Sequence, residues 1–211
     1  MSITLYYSPM SSATRVVWAL EELGIPYEKV RLHLDKKEQK APEFLKINPN
    51  GKVPALVDGD AKIFEAVAIV LHLAERYGTE KGLWPKPGTT ERSEALAWTI
   101  WAINELQPAA VTYIMHTSDR AFAFPKDQRH APSAELAKKQ WAHLIGILDA
   151  RLEGREYLVA GSFMFCDLVL ASLIGFATMM GGLSLDGAKN VPAWAARCQQ
   201  RPAMGRAMSM Q

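Results

Sequence analysis

Three hydroxyls crowd the start of a helix in the stretch SPMSSATR, residues 8–15. A β-branched and aromatic run, ITLYY, precedes it, and an apolar periodic run, VVWALEELG, follows. Ser8, Ser11 and Ser12 can each cap that helix, because a serine oxygen accepts one of the backbone N–H groups left open in the first turn. A hydroxyl in the same place can instead donate to an anion, and the positive end of the helix dipole favours negative charge there. Spacing alone does not separate Ser11 from Ser12 in these two roles. Ser8, beside Pro9, suits a turn. Tyr7 is a further donor, but it ends a strand run and is expected to be packed.

Other chemistry is poorly supplied. Cys166 and Cys198 are far apart, form no C-x-x-C, and Cys166 lies in the apolar run FMFCDLVL, which makes an inert thiol. That usage fits a reduced, cytoplasmic setting. The five histidines, at 33, 72, 116, 130 and 143, show no ligand spacing, so no metal is expected. The formal charge of +2 gives no pull toward nucleic acid or an anionic membrane. No signal peptide is visible in MSITLYYSP. The uncharged stretch from Leu168 to Met180 is too short to span a bilayer and reads as a buried core helix, with Gly181-Gly182 interrupting the run.

The elements that must position the hydroxyls alternate. Ile3 to Tyr7 reads as a strand, and Ala13, Val16, Val17, Leu20 and Leu23 follow helical spacing until Gly24 and Pro26 stop it. YEKVRL reads as a second strand and APEFLKI as a short helix or turn. After the Asn-Pro and Asn-Gly punctuation of NPNGKVPALV comes a strand, then a hairpin turn at Asp58-Gly59, a returning strand AKIF, and a helix ended by Gly78. The order is β-α-β-α-β-β-α, a mixed sheet covered by helices. Residues 79–88, rich in Gly and Pro, are expected to link residues 1–78 to an all-helical domain over 89–211. There, Leu96, Ile100, Ile103 and Leu106 form one apolar stripe. Leu136, Trp141, Leu144, Ile145, Leu148 and Leu152 form another.

This layout, over most of the chain, resembles the soluble glutathione transferases: a thioredoxin-like βαβαββα domain, then an α-helical bundle. Three local patterns carry the resemblance. SSATRVVWALEELGIPYE is similar to the first-helix segment of serine-type members, nearest the phi and theta classes, where the active serine stands four residues before an arginine; here that is Ser11, before Arg15. NPNGKVPALVDGD resembles the loop and cis-proline of the glutathione-binding half, at Pro54. KIFEAVAIVLHLAERYG resembles the junction where a Glu-Ser pair opens the third helix.

The resemblance implies that Ser11 donates to the glutathione thiolate while Ser12 caps the helix. A hydrogen bond to a charged group is worth about 1.5–3 kcal/mol, and one pKa unit is about 1.4 kcal/mol. One serine and a helix end can therefore lower a thiol of about 8.5 by roughly one to two units. The resemblance also implies that the backbone of Val53, before Pro54, pairs with the cysteinyl part of glutathione. It implies further that Glu65 and Ala66 meet the γ-glutamyl carboxylate, and that Gln39 and Lys52 reach the glycyl end. Two positions depart from the family pattern. Ala66 stands where a serine is usual, removing one donor, and Met164 stands where a hydroxyl usually pairs with Asp167 at the start of the central helix.

The expected activity is a glutathione S-transferase acting on small apolar electrophiles, with glutathione as co-substrate, as a cytoplasmic homodimer. The second-substrate walls are expected on the first long helix of the bundle, among them Trp101, Asn104, Pro108 and Val111. Alternatives on the same fold are a glutathione-dependent isomerase or dehalogenase, a weak disulfide reductase, or a non-enzymatic binding protein.

Overall fold

Ile3–Tyr7 (β1) is the hub of a four-stranded sheet. It pairs in parallel with Glu28–Arg31 (β2), from Thr4 opposite Glu28 to Tyr7 opposite Arg31. On its other side it runs antiparallel to Ala55–Asp58 (β3), from Ile3 opposite Asp58 to Tyr6 opposite Ala55. Ala61–Phe64 (β4) closes the hairpin onto β3, giving the order β2-β1-β3-β4. The structure, a computed structural model, describes residues 2–209; Met1, Met210 and Gln211, at the outer ends of the two expected domains, lie outside the described residues.

Ala13–Leu23 (α1) and Pro42–Leu45 (α2) lie in the connections between these strands, and Ala66–Leu73 (α3) follows β4 and runs into a π-helical turn over 74–78. The βαβαββα thioredoxin-like order is the expected one. Alternation along β1 sets the two faces: Ile3 and Leu5 are buried, while Tyr6 packs on Phe44 with ring centroids 5.6 Å apart, beside Leu32 and Ala55. The apolar stripe of α1 (Val16, Val17, Leu20, Leu23) is buried as its spacing requires, with Trp18 also inside. Gly24 ends the helix at φ 59°, its N–H donating to the Leu20 carbonyl at 3.0 Å. The edge strand β2 is exposed at all four residues, and Glu28, Lys29 and Arg31 discourage pairing with another chain.

By contacts, the chain falls into two units, residues 1–84 with 200–211, and residues 85–199. One limit, between residues 84 and 85, falls inside the Gly- and Pro-rich stretch, and the other returns the residues from 200 onward to the first unit. Trp84, inside the segment read as a linker, is 1% exposed, and its Nε1–H donates to Glu75 at 3.0 Å. Pro202–Ser209 (α9) lies against α1. There Arg201 donates through Nε and Nη2 to the two carboxylate oxygens of Glu22, at 2.6 and 2.8 Å, and Arg206 Nε donates to Glu21 at 2.7 Å. A bidentate pair between residues 179 positions apart has no local signature in a sequence.

In the helical unit, Thr90–Trp101 (α4) passes through a π-helical turn over 102–106 into Gln107–Thr117 (α5). Ala131–Arg151 (α6), Phe165–Gly181 (α7) and Val191–Gln199 (α8) follow. The central helix is α7, buried along most of its length as its uninterrupted apolar run requires. It continues through Gly181, where α5 approaches so closely that a Cβ would sit 2.5 Å from Ile114. The expected stripe from Leu96 to Leu106 holds only in part: Leu106 is buried, and Leu96 and Ile103 are half-buried. Ile100 is 47% exposed, and the buried face is made of smaller residues: Ala95, Thr99, Ala102, Ala109 and Ala110, with Leu106. On α6, Leu136 is likewise 60% exposed, whereas Trp141 to Leu152 hold their expected places. Small residues let helices approach closely, which a pattern of large apolar residues does not register.

Asp167, wholly buried at the start of α7, accepts N–H groups from Leu158 (2.9 Å), Met164 (3.0 Å) and Trp194 Nε1 (2.9 Å). It ties the preceding loop and α8 to the central helix. Burial pushes its carboxyl up to about 6, against those donors. Asp167→Ala strands three buried N–H groups at roughly 1–3 kcal/mol each. We expect urea denaturation to show a loss of at least about 3 kcal/mol.

In the first unit the Asp58 side chain is fully buried, with His72 Nε2 at 2.9 Å, Tyr77 OH at 2.8 Å and Arg76 Nε at 3.5 Å. Burial raises its carboxyl pKa, but the hydrogen bonds from His72 and Tyr77 and the charge of Arg76 outweigh burial and hold it below the usual carboxylate value. A depressed folded value means that this stabilisation is complete above the unfolded value of about 3.9 and is lost as pH falls through the folded one. Asp58→Asn should flatten the acid limb of stability against pH below about pH 4. A limb unchanged in denaturation series would exclude this cluster as its source.

Candidate functional site

The sheet register gathers the candidate residues at one end. β1 and β2 run the same way, β3 the opposite way and β4 the same way as β1. Tyr6 is opposite Ala55, Ala55 opposite Phe64, and Tyr7 opposite Arg31. The loop leaving β1 with Ser11, the loop leaving β2 with Gln39, the entry to β3 with Val53 and Pro54, and the exit of β4 with Glu65 and Ala66 therefore all lie at the same end of the sheet. Asp58 and the hairpin turn lie at the other end.

Ser11, not Ser12, is the cap of α1. Its Oγ accepts the Ala13 N–H at 3.2 Å and donates to the Ser8 carbonyl at 2.7 Å, and its carbonyl accepts from the Thr14 N–H and hydroxyl at 3.2 and 3.0 Å. Ser12 is exposed, already helical at φ −61°, ψ −6°, and makes no side-chain cap bond. This corrects the division expected between the two serines: Ser12 already has helical backbone angles, so the residue before it is the one whose side-chain oxygen reaches an open N–H of the first turn. Met10, just before it, holds φ 53° and is exposed.

The Val53–Pro54 peptide is cis, as the resemblance implies. The loop that delivers it is braced by Asn48, buried, whose Nδ2 donates to the Lys52 carbonyl at 2.6 Å and whose Oδ1 accepts the Asn50 N–H at 3.0 Å. Gly51 holds φ 57°, and a Cβ there would meet the Gln39 carbonyl at 2.9 Å and the Lys40 side chain at 2.8 Å. Lys40 Nζ donates to the Asn50 carbonyl at 3.1 Å, so a second ammonium accompanies the exposed Lys52. Asn48 and Lys40 were missed by sequence reading. The signal for Asn48 was present in the Asn-Pro-Asn-Gly run, since Asn side chains fold turns around themselves. Gln39 Oε1 is buried without a hydrogen-bond partner.

Glu65 is the N-cap residue of α3 and is exposed at φ 67°, ψ 119°, a conformation uncommon for a side chain of its size. Observed strain of this kind points to a site rather than to packing. Ala66, the first helical residue, is buried and carries no hydroxyl.

Within the helical unit, Asn104 and Pro108 line a cleft of about 340 Å³ with Thr112, Gln140 and His143. Both cysteines are buried, and burial raises the Cys166 thiol well above its usual value. Among the described residues no group of three His, Cys, Asp or Glu side chains is arranged to hold a metal, and no helix is long and apolar enough to cross a membrane.

Residues 1–75 match the family model described as the N-terminal domain of glutathione S-transferase, and residues 109–202 match the model of its C-terminal domain. The chain is 30% identical to glutathione S-transferase F10 of Arabidopsis thaliana, over 96% of this chain and 94% of that protein. It is 29% identical to the disulfide-bond oxidoreductase YfcG of Escherichia coli K12, over 98% and 94%. It is similar, with a TM-score of 0.83 and 28% identity over 98% and 96% of the two chains, to the theta class glutathione S-transferase of Xanthomonas axonopodis pv. citri, solved with glutathione bound.

The serine geometry sets an order of stabilities. Ser11→Ala removes the acceptor of the Ala13 N–H and should cost about 1 kcal/mol, whereas Ser12→Ala should cost less than about 0.5 kcal/mol. Thermal denaturation of the two variants checks this, and the reverse order would contradict the cap.

Proposed function

Because the chain belongs to the glutathione S-transferase family, we propose that it is a serine-type glutathione transferase, with Ser11 as the donor to the glutathione sulfur. The observation that carries this reading is the convergence of the Ser11 hydroxyl, cis-Pro54 and the start of α3 at one end of the sheet. In this reading, the Val53 backbone holds the cysteinyl part and Gln39, Lys52 and Lys40 serve the glycyl carboxylate. The N-terminus of α3, at Glu65 and Ala66, receives the γ-glutamyl carboxylate.

Ser11 then has one rearrangement to make. Its proton now goes to the Ser8 carbonyl. Turning that proton to the sulfur exchanges a neutral hydrogen bond of about 0.5–1.5 kcal/mol for a charge-assisted one of about 1.5–3 kcal/mol. The difference, roughly 1–1.5 kcal/mol, lowers the thiol by about one unit. The Ala13 N–H stays on the oxygen and polarises the hydroxyl in the donating sense. The thiol proton leaves to solvent. The sulfur lone pair forms the new S–C bond, and the electron pair moves onto the leaving group or, in conjugate addition, onto the acceptor. The helical domain would supply the contacts of a small apolar electrophile. A cytoplasmic homodimer is the assembly and setting this reading carries.

A second reading has its own support. Similarity to a disulfide-bond oxidoreductase spans 98% of the chain. Residues 8–15 contain no cysteine, and both cysteines are buried, so disulfide reduction would draw both thiols from glutathione.

Ser11→Ala should lower turnover of a model aromatic halide with glutathione by about ten-fold or more, with Ser12→Ala near the parent rate. Equal losses would remove Ser11 from its role. Parallel assays with a small disulfide separate the two readings, since the preferred one retains the faster turnover. Ala66→Ser restores a charge-assisted donor worth about 1.5–3 kcal/mol and should tighten glutathione binding about ten-fold or more by calorimetry. An unchanged affinity would show that the backbone donors suffice.

A further inference from the structure

The charges of α1 run against its own dipole. No acid lies in its first turn and no base in its last, where Glu21 and Glu22 stand at the negative end. The cations that answer these acids come from the end of the chain, 179 and 185 positions away. Arg201 forks both oxygens of Glu22, at 2.6 and 2.8 Å. The Glu22 side chain is only 6% exposed, which sets this pair apart from solvated surface pairs of little consequence. The Glu22 oxygen that meets Arg201 Nε also accepts from the buried Trp18 Nε1 at 3.0 Å. Arg206 pairs with Glu21, and its Nη2 donates to the Glu21 carbonyl at 3.0 Å, in the turn where a helix leaves its carbonyls open.

Burial of Val16, Val17, Leu20 and Leu23 decides which side of α1 turns inward. Apolar contact is non-directional, however, and leaves the helix free to turn or advance slightly. A bidentate guanidinium–carboxylate pair is directional and removes that freedom. Ser11 closes the opposite end of α1, so any turn or slide of the helix carries its hydroxyl along. A reacting group displaced by about 1 Å can cost about 100-fold in rate. The charge of Arg201 itself has little reach. The helical rise puts Glu22 roughly 16 Å along the axis from Ser11, well beyond the screening length of about 8 Å at physiological salt.

We propose that Arg201 is a positioning residue for the reaction: through its fork on Glu22, α9 holds α1 at the turn and advance that bring the Ser11 hydroxyl to the glutathione sulfur. The inference rests on the serine-type reading above. The last helix of the chain thereby completes the site of the first unit. Arg206 backs it from the neighbouring acid, where a half-exposed guanidinium grips less firmly. In this role Arg201 touches neither substrate, so its removal slows the chemical step and leaves glutathione binding in place. Lysine keeps the charge but offers no planar fork, so it is no substitute here.

The test is a double-mutant cycle on the full-length protein, with glutathione and a model aromatic halide. Arg201→Gln should lower kcat about five-fold and leave the KM for glutathione within about two-fold. In the Ser11→Ala background the same change should alter kcat by less than about 1.5-fold, because no hydroxyl remains to be placed. A merely structural bond would lower kcat by the same factor in both backgrounds, or not at all, and either result overturns the proposal. Arg201→Lys should recover less than half of the lost rate; full recovery would assign the effect to charge and overturn the proposal too. Where Arg201→Gln does not fold, Arg206→Gln carries the cycle, with a kcat loss of about two-fold that vanishes without Ser11. No loss there, or one that persists without Ser11, overturns it. If Ser11→Ala alone matches the parent rate, the serine-type reading falls and takes this inference with it. If Ser11→Ala is slow and Arg201→Gln is not, this inference alone falls.

Discussion

The register of β1 against its two neighbours is the constraint on which the site depends. Tyr6 opposite Ala55 and Ala55 opposite Phe64 fix which strand ends coincide. A slip of one residue in a strand turns its side chains to the other face, burying what should be exposed. Ile3 and Leu5 are buried on one face and Tyr6 meets Phe44 on the other, so both faces resist such a slip. The loops that carry the candidate chemistry can then depart from regular geometry, because the sheet already determines where they begin. Among the described residues, three of the four non-glycine residues with positive φ, Met10, Lys37 and Glu65, stand in those loops.

Helix α1 joins the two requirements of the first unit. Its N-terminal turn is closed by the Ser11 hydroxyl, and its C-terminal acids are held by Arg201 and Arg206. Side-chain bonds at both ends fix the rotation of the helix, and with it the direction in which its first turn faces. The same economy appears in the helical unit, where one buried carboxylate, Asp167, satisfies N–H groups from a loop, a helix start and a tryptophan.

Much of this was legible in the residues. The spacing of Val16, Val17, Leu20 and Leu23 with Gly24 behind them gives α1, and Asp58-Gly59 gives the β3–β4 hairpin, because these signals act over a few residues. The mixed sheet followed from the alternation of strand and helix signals, and cis-Pro54 from resemblance to a family. What escaped depends on distant or subtle partners. Trp84 is buried in a stretch whose glycines and prolines suggest a linker, and Arg201 finds Glu22 across most of the chain. The expected stripe from Leu96 to Leu106 lost Ile100 to solvent because small residues, Ala95, Thr99 and Ala102, take the most buried positions beside Leu106. Ser11 and Ser12 are identical in kind and adjacent, so only backbone geometry assigns the cap.

The bracing of α1 by α9 also orders events in time. During synthesis at about 5–20 residues per second, Arg201 emerges on the order of 10–40 s after Glu22, given their separation of 179 positions. Until then the nascent first helix carries two acids without their cations, and the sheet it covers must wait for its final support. The portion of the chain that translation delivers first thus receives this brace from residues that are synthesised after those of the helical unit.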